Sequence, residues 1–393
     1  MIIYTNKKNF KYTQFYQKNM QPIGFNKKKF SQKMEKKGID FLVASSPENI
    51  FYTSGLPVRH AENNPILFSL SNLVPTIVVI RKDGEESVIT WAIFDPTFTW
   101  VKDFRGIFNK EESTENLAAI IQEAGIKEPT IALESAMPLY QYEALKNSFP
   151  NAKFETADDI LLELRLIKSS EEIDRIKKST QIAEKTILIM FNELKEGITD
   201  IELLKIAKTT MIKEGASGWD HVTMSLGASD PEAPGVGVKM KKNEMTRFDI
   251  GAVYKGYFSD VSRHAVLGEI PASAKKIISE IVDVQKICTN AIKPGVATLD
   301  ILNLATEAFE KIGEEIPLFP TCHGIGLRCE EVHLFDPIKS SERVFEEGMV
   351  FDLEFWAPFE LYNNRLIGME DTYLVNKSGC ERISKLEQTL LVK

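Results

Sequence analysis

An internal repeat in the second half of the chain constrains its fold most strongly. The segments GITDIELLKIAKTTMIKEG at 197–215 and GVATLDILNLATEAFEKIG at 295–313 align without a gap and agree in type at seven positions, including both terminal glycines. Each segment follows a long helical stretch and precedes a β-rich region. Two amphipathic helices can resemble each other by chance, but the ungapped match favours a duplicated helix–helix–strand–strand unit. Such a unit would hold site residues on paired strands from both halves.

The first half of the chain has the alternating pattern of an α/β domain. The predicted strands are those at 41–44 and 76–80, and the predicted amphipathic helices lie near 115–124 and 139–147. A long helix is predicted after Ser169, because Ser169 and Glu172 can form a capping box that satisfies its first free N–H groups. We therefore expect an α/β (α+β) protein with domains at 1–165 and 166–393.

The composition limits the classes of partner. A length of 393 residues suggests two domains, and the net charge of −8 argues against a general nucleic-acid binder. No apolar run is long enough to cross a membrane, and the N-terminus lacks the apolar segment of a secretion signal. The four cysteines show no CxxC spacing, which favours a reducing cytoplasm. Residues 1–37 carry ten Lys and one acidic residue. This pattern predicts a solvated N-terminal segment and first helix; the alternative is that the segment binds an anionic partner.

A pair of aspartates carries the clearest site signal. In the segment DIGAVYKGYFSDVSR at 249–263, Lys255-Gly256 is typical of a two-residue hairpin turn. This register places Asp249 and Asp260 on the same face of the ribbon, because side chains alternate along a strand. Two carboxylates that close repel each other unless a proton or a cation lies between them. The alternative, in which each Asp is hydrogen-bonded to a turn, fits this segment alone equally well.

The later strands supply further candidate ligands. His323 lies in the glycine-rich bend CHGIGL, while Glu354 and Glu370 each interrupt an apolar strand. Burying a lone carboxylate is costly, and Arg365 is the only cationic residue close by in sequence, so a shared metal site explains these residues together. One imidazole and four carboxylates suit Mn²⁺, Co²⁺, Fe²⁺ or Zn²⁺. Two such ions would have to share carboxylates and a water molecule.

The ordered set of Asp249, Asp260, His323, Glu354 and Glu370 resembles the dinuclear site of the methionine-aminopeptidase/prolidase/creatinase superfamily, metallopeptidase family M24. The strings DIGAVYKGYFSDVSR, HGIGL and MEDTYLV are similar to motifs of its Xaa-Pro branch, as is LRLIKS at the expected hinge. The resemblance covers roughly residues 35–393. It implies a creatinase-like N-terminal domain (1–165), a pita-bread catalytic domain (166–393), two divalent ions (Mn, Co, Zn or Fe) and a homodimer.

The sequence departs from the pattern of this branch at three places near the expected site. Its usual Ala-x-Pro-His segment reads Asp-Pro-Glu-Ala-Pro-Gly-Val at 230–236, without a His. The Pro-Gly that usually follows the fourth ligand is Phe355-Trp356, and the Arg usually found two residues before the last Glu is Gly368. The expected metal ligands are kept while the expected substrate-binding residues differ. The sequence therefore predicts metal chemistry more firmly than specificity for proline peptides.

The resemblance also implies catalytic roles. Glu354 is expected to accept the proton of the attacking water, and His333 to steady the developing oxyanion, although an insertion separates it from His323. His221, just before a strand, would replace the missing His or serve as a hydrogen-bonded structural residue.

Two kinds of substrate remain open. Arg59 and His60 lie in a predicted loop of the first domain, and the resemblance to creatinase-like dimers implies that this loop reaches the partner's active site and binds the substrate. Trp356 is expected in the wall of the substrate pocket. The first hypothesis is hydrolysis of a C–N amide bond in a small peptide. The second keeps the fold and ions but takes a small amide or zwitterionic metabolite, as in creatinase, ectoine hydrolase and a dimethylsulfoniopropionate lyase. A non-catalytic binding protein is disfavoured, because the five expected ligands are intact.

Overall fold

The computed structural model describes residues 20–57, 74–226, 235–312, 318–336, 343–359 and 365–393. The chain divides into two compact units, Met1–Arg165 and Leu166–Lys393. Among the helices within the described ranges, none has the length and apolar character needed to span a membrane.

The first unit contains a six-stranded mixed sheet. Its strands are β1 (Phe41–Ala44), β2 (Ile77–Arg81), β3 (Glu86–Trp91), β4 (Asp103–Ile107), β5 (Thr130–Leu133) and β6 (Lys153–Thr156). The strand order is β4-β3-β2-β1-β5-β6. Among the described strands of this sheet, the β1–β2 and β2–β3 pairs are antiparallel and the other pairs are parallel. The two predicted strands are confirmed as β1 and β2.

Helices accompany this first sheet. They are α1 (Lys27–Lys37), α2 (Pro47–Ser54), α3 (Lys110–Glu123), α4 (Leu139–Ser148) and α5 (Asp158–Leu166), with a short 3-10 helix at Pro96–Phe98. The two predicted helices are confirmed as α3 and α4. α3 begins earlier than predicted, because the Asn109 side chain caps it by accepting a hydrogen bond from the N–H of Glu112 at 2.8 Å.

The second unit contains a ten-stranded sheet and four described helices. The strands are β7 (Gly218–Leu226), β8 (Glu244–Tyr254), β9 (Tyr257–Phe258), β10 (Val261–Leu267), β11 (Phe319–Gly324), β12 (Val332–Phe335), β13 (Val350–Phe359), β14 (Arg365–Val375), β15 (Cys380–Arg382) and β16 (Leu391–Val392). The main order is β12-β11-β13-β14-β10-β8-β7, with β15 beside β14, β16 beside β10 and β9 beside β8. The helices are α6 (Ser170–Glu193), α7 (Asp200–Lys213), α8 (Ala272–Ala291) and α9 (Thr298–Ile312).

Helices pack on one face of this sheet, and the predicted ligands Asp249 and Glu354 point to the other. Phe248 and Ile250 of β8 belong to an apolar cluster with buried residues of α6, and Phe355 of β13 belongs to a second cluster with α8. Side chains alternate along a strand, so Asp249 and Glu354 point away from these helices. The alternation thus separates an apolar helical layer from a polar face.

The predicted duplication appears as matching contacts in the two copies. The N–H of Gly197 donates to the carbonyl of Met240 at 2.8 Å, and the N–H of Gly295 donates to the carbonyl of Phe345 at the same distance. The φ angles of these glycines, 82° and 90°, lie in the left-handed region that side chains disfavour. The glycine shared by the two copies of the repeat therefore makes an equivalent backbone hydrogen bond before α7 and before α9.

Candidate metal centre

Strand register places three of the predicted ligands in one row. Asp249 of β8 lies opposite Ser262 of β10, Ser262 lies opposite Glu370 of β14, and Glu370 lies opposite Glu354 of β13. Residues directly opposite each other on antiparallel strands share a face of the sheet. The row therefore crosses four neighbouring strands on the face that the helices leave uncovered.

Asp260 and His323 complete the cluster. Three groups of possible ligand atoms each lie within 4.8 Å of one another: Asp260, His323 and Glu370; His221, Asp249 and Asp260; and Asp220, His221 and Cys329. His323 Nε2 is 3.5 Å from Glu370 Oε1 and 3.7 Å from Glu354 Oε1. Asp260 belongs to the first two groups, so these two sets of ligand atoms share one carboxylate.

The carboxylates of this cluster are largely removed from water. The exposed fractions of their side chains are 2% for Glu370, 10% for Asp260, 13% for Asp249 and 18% for Glu354. Burial, reinforced by the charge of Asp260, raises the pKa of Glu354 to about 7 and that of Glu370 well above its usual range. Burial acts in the same direction on Asp260, but the adjacent His221 imidazole outweighs it and lowers the pKa of that carboxyl. Without a cation, the cluster therefore retains protons at neutral pH.

The residues present fit divalent metal ions. Glu370 Oε1 and Asp260 Oδ1 are buried oxygens without an aligned hydrogen bond from the described residues. Buried polar atoms are normally paired, and these two oxygens lie 3.5 Å and 3.2 Å from an imidazole nitrogen of another possible ligand. Four carboxylates and an imidazole form a donor set suited to Mn²⁺, Co²⁺, Fe²⁺ or Zn²⁺. The geometry and the chemistry of the donors thus support the predicted ions.

Arg247 and Trp356 lie outside the predicted ligand set and contact its members. Arg247 Nη2 is 2.8 Å from Asp249 Oδ2, and the indole N–H of Trp356 donates to Glu354 Oε2 at 2.6 Å. The Arg247 guanidinium also lies 4.9 Å from the centre of the Trp356 ring, within the range of a cation–π contact. Arg365 is the cation expected from its closeness in sequence to Glu354 and Glu370; strand alternation adds Arg247, which lies on the same face of β8 as Asp249.

The chain matches models of two protein families. Residues 174–377 match metallopeptidase family M24, and residues 27–167 match the creatinase/prolidase N-terminal domain. The chain belongs to metallopeptidase family M24. Membership confirms the predicted family, fold class and type of enzyme, a metal-dependent hydrolase.

Curated relatives and solved structures resemble this M24 protein over nearly its whole length. A Xaa-Pro dipeptidase of Pyrococcus furiosus is 26% identical over 370 residues, covering 91% of this chain and 97% of the relative. An uncharacterised peptidase of Staphylococcus aureus is 27% identical over 350 residues, covering 88% and 94%. A dipeptidase structure from Pyrococcus horikoshii OT3 has a TM-score of 0.79 at 23% identity, covering 93% of this chain and 99% of that one. An X-Pro aminopeptidase structure from Thermotoga maritima has a TM-score of 0.76 at 22% identity, covering 94% and 99%.

The structure brings two of the residues predicted for catalysis or substrate binding, His221 and Trp356, into contact with the ligand set. His221 Nε2 is 3.2 Å from Asp260 Oδ1, and burial by itself would lower the pKa of this imidazole. The charge of Asp260, with hydrogen bonds to neighbouring carboxylates, instead raises that pKa well above its usual value. Trp356 is only 5% exposed and is hydrogen-bonded to Glu354, so it packs beside the ligands as a wall.

Other predicted residues have a different placement. The His333 side chain is 46% exposed, and its ring nitrogens lie 3.2 Å from Glu330 Oε2 and 3.5 Å from Asp336 Oδ2. These contacts do not join it to the ligand set, and its oxyanion role stays a prediction. Arg59 and His60 lie outside the described residues.

Sequence reasoning missed two further residues at the site. Cys329 Sγ is 2.7 Å from Asp260 Oδ2, and Asp352 Oδ2 is 4.0 Å from His323 Nδ1. Asp352 could have been found, because it lies two residues before Glu354 and so shares its face of β13. Cys329 lies between β11 and β12, where no periodic pattern indicates the direction of a side chain.

Proposed function

We propose that this chain holds two divalent metal ions and hydrolyses a C–N amide bond in a small peptide of the Xaa-Pro type. The observation that carries the proposal is that Asp260 belongs to two overlapping groups of possible ligands. Asp249, His323, Glu354 and Glu370 complete the proposed set. The relatives named Xaa-Pro dipeptidase support the class of substrate.

Glu354 is proposed as the group that accepts a proton from the attacking water. Divalent ions in this site would supply Lewis acidity that activates water and polarises the substrate carbonyl. Glu354 is more exposed (18%) than Asp249, Asp260 or Glu370, so it is the carboxylate that a water and a substrate reach most easily. The N–H of Trp356 fixes its Oε2 at 2.6 Å, which leaves Oε1 to face the cluster. Such fixed orientation is what proton transfer to a general base requires.

A small amide or zwitterionic metabolite is the second candidate substrate, and the packing beside Glu354 favours it. A Cβ on Gly368 would overlap the Trp356 indole and the carbonyl of Phe355. Trp356 therefore fills space that a side chain at position 368 would need. A bulky wall next to the proposed base leaves less room for a dipeptide than for a small metabolite.

Metal analysis combined with a peptidase assay tests the proposal. Protein treated with EDTA and reloaded with Mn²⁺ or Co²⁺ should bind two ions per chain and cleave Xaa-Pro dipeptides. Asp260→Asn should lose both properties, because it removes the shared ligand. Asp283→Asn is a matched control at a carboxylate that is 62% exposed, and it should retain both. Wild-type protein that binds no divalent ion would overturn the proposal, whereas two bound ions without dipeptide cleavage would favour the metabolite.

We further propose a cytoplasmic homodimer in which Arg59 and His60 bind the substrate carboxylate. The four cysteines are free thiols, as expected in a reducing compartment. The dimer and the loop residues follow from the resemblance to creatinase-like proteins. Light scattering that gives the mass of a single chain, 44.4 kDa, would overturn the dimer.

A further inference from the structure

His221 lies between the two aspartates of the proposed site. It belongs to β7, which pairs with β8 so that Thr223 lies opposite Asp249, and the pairing is irregular between Trp219 and Val222. His221 Nε2 is 3.2 Å from Asp260 Oδ1 and 3.4 Å from Asp249 Oδ1. One imidazole nitrogen thus faces two carboxylate oxygens at once.

These separations match the spacing of ligands around one ion. Donors bound at about 2.0–2.1 Å in a tetrahedral arrangement stand about 3.3–3.4 Å apart. His323, whose Nε2 is 3.5 Å from Glu370 Oε1, has an equivalent position on the other side of Asp260. The cluster therefore presents one imidazole on each side of the shared carboxylate.

The other nitrogen of the His221 ring has the partner that a metal-bound histidine needs. His221 Nδ1 is 3.2 Å from Asp220 Oδ2. Histidines that bind metals commonly donate their second N–H to a carboxylate, which fixes the tautomer and directs the free lone pair at the ion. With Nδ1 protonated toward Asp220, the Nε2 lone pair is directed at Asp249 and Asp260.

The surrounding backbone leaves room for the ring in this position. A Cβ on Gly251 would lie 2.5 Å from His221 Cε1 and Nδ1, so the absence of a side chain there accommodates the imidazole. A lone pair that faces two carboxylates is repelled unless a cation or a proton lies between them. His221 Nε2 lies within 3.4 Å of one oxygen of each carboxylate, so a single ion between them would be within reach of all three donors.

We propose that His221 is a sixth protein ligand and binds the ion shared by Asp249 and Asp260, with Asp220 orienting its ring. This inference rests on the proposed function, because it requires two ions. His323 serves the other ion, so each ion has one imidazole ligand. An added nitrogen donor strengthens the binding of Co²⁺ and Zn²⁺ relative to Mn²⁺, because Mn²⁺ prefers oxygen ligands.

Protein loaded with Co²⁺ provides a test that is independent of activity. In proton NMR, an imidazole bound to paramagnetic Co²⁺ gives a strongly shifted, solvent-exchangeable N–H signal. We expect two such signals in the wild type and one in His221→Ala. At a Co²⁺ concentration that just fills both sites of the wild type, this variant should bind one ion per chain instead of two. Asp220→Asn should weaken binding of that ion about 10–100-fold, because it removes the orienting carboxylate. His333→Ala is the matched control, since its imidazole is 46% exposed, and it should retain both ions and both signals.

The possible outcomes separate this inference from the proposed function. Two ions with a single shifted imidazole in the wild type would overturn the ligand assignment and leave the proposed function intact. One ion in the wild type and two in His221→Ala would also overturn it, because an imidazolium would then occupy the place of the second ion. A wild-type protein without ions would overturn both proposals. Circular dichroism checks folding, and His221→Gln replaces the Ala variant if that variant is unfolded.

Discussion

Arg263 is fully buried where β10 meets β14, and its replacement by Met tests how strongly these ligand-bearing strands depend on it. Its side chain pairs with Asp371 Oδ1 at 2.6 Å, and both side chains are 0% exposed. It also donates to the backbone carbonyls of Ser262, Glu370, Leu386 and Glu387 at 2.8–3.0 Å. Arg263→Met would leave a buried carboxylate and four carbonyls without this donor.

The expected loss of unfolding free energy follows from these contacts. Removing one partner of a buried ion pair costs about 3–5 kcal/mol. Arg382 Nη1 lies 3.5 Å from Asp371 Oδ1 and compensates in part, so we expect the lower end, about 3–4 kcal/mol. For a unit of this size, about 2–4 °C per kcal/mol gives a decrease in Tm of roughly 6–16 °C.

Thermal unfolding of the metal-free protein, followed by circular dichroism, measures this change without a contribution from bound ions. Lys286→Met is the matched control, because Lys286 and its partner Asp283 are 59% and 62% exposed. Exposed pairs contribute about 0–1 kcal/mol, so the control should unfold near the wild-type temperature. If Arg263→Met also unfolds within about 2 °C of the wild type, corresponding to less than about 1 kcal/mol, the reasoning is refuted.

Three further predictions concern the site itself. Metal-free protein should lose stability as the pH rises from about 4.5 to about 7, because the raised pKa of Glu354 favours the protonated carboxyl in the folded state. A Tm that stays constant over this pH range would contradict this prediction. Trp356→Phe keeps an aromatic ring but removes the donor to Glu354, and a hydrogen bond to a charged group is worth about 1.5–3 kcal/mol, so kcat should fall about tenfold or more. Unchanged kcat at full metal content would exclude this role of Trp356. Bound Zn²⁺ should slow the alkylation of Cys329, whose Sγ lies 2.7 Å from Asp260 Oδ2, but not the alkylation of Cys380. Peptide mass spectrometry measures both rates. Equal rates for Cys329 with and without Zn²⁺ would contradict this prediction.

Features set by neighbouring residues could be predicted from the sequence. Lys255 and Gly256 have φ angles of 49° and 85°, as a two-residue turn of this type requires, and Tyr254 pairs with Tyr257. The turn fixes the register of the hairpin, so Asp249 lies opposite Ser262, as the predicted two-residue turn requires. The capping box is likewise confirmed, with Glu172 accepting from the N–H of Ser169 at 2.7 Å and donating its own N–H to the Ser169 hydroxyl.

Contacts between distant strands could not be predicted in the same way. Arg247 lies only two residues before Asp249 on β8, but its contact with the Trp356 ring joins β8 to β13 and does not follow from sequence spacing. His333 lies opposite His323 on paired strands, yet its side chain is exposed at the edge strand β12. Sequence order alone does not determine how exposed such a residue is, because the register shift between Cys322 and His323 and the edge position of β12 arise only in the folded sheet.

The unusual residues around Glu354 form one linked rearrangement rather than separate changes. Trp356 occupies the space that a side chain at position 368 would need, which explains why Gly368 replaces the Arg of the Xaa-Pro branch. A guanidinium is nevertheless present at the site, because Arg247 contacts the Trp356 ring from β8 and pairs with Asp249 at 2.8 Å. The positive charge beside the proposed ligands thus comes from Arg247 of β8 and not from position 368 of β14. The indole adds bulk next to Glu354. The Arg247 guanidinium balances the charge of Asp249, and the Trp356 indole limits the space for a substrate beside Glu354. This rearrangement therefore changes the proposed substrate pocket without removing a proposed ligand.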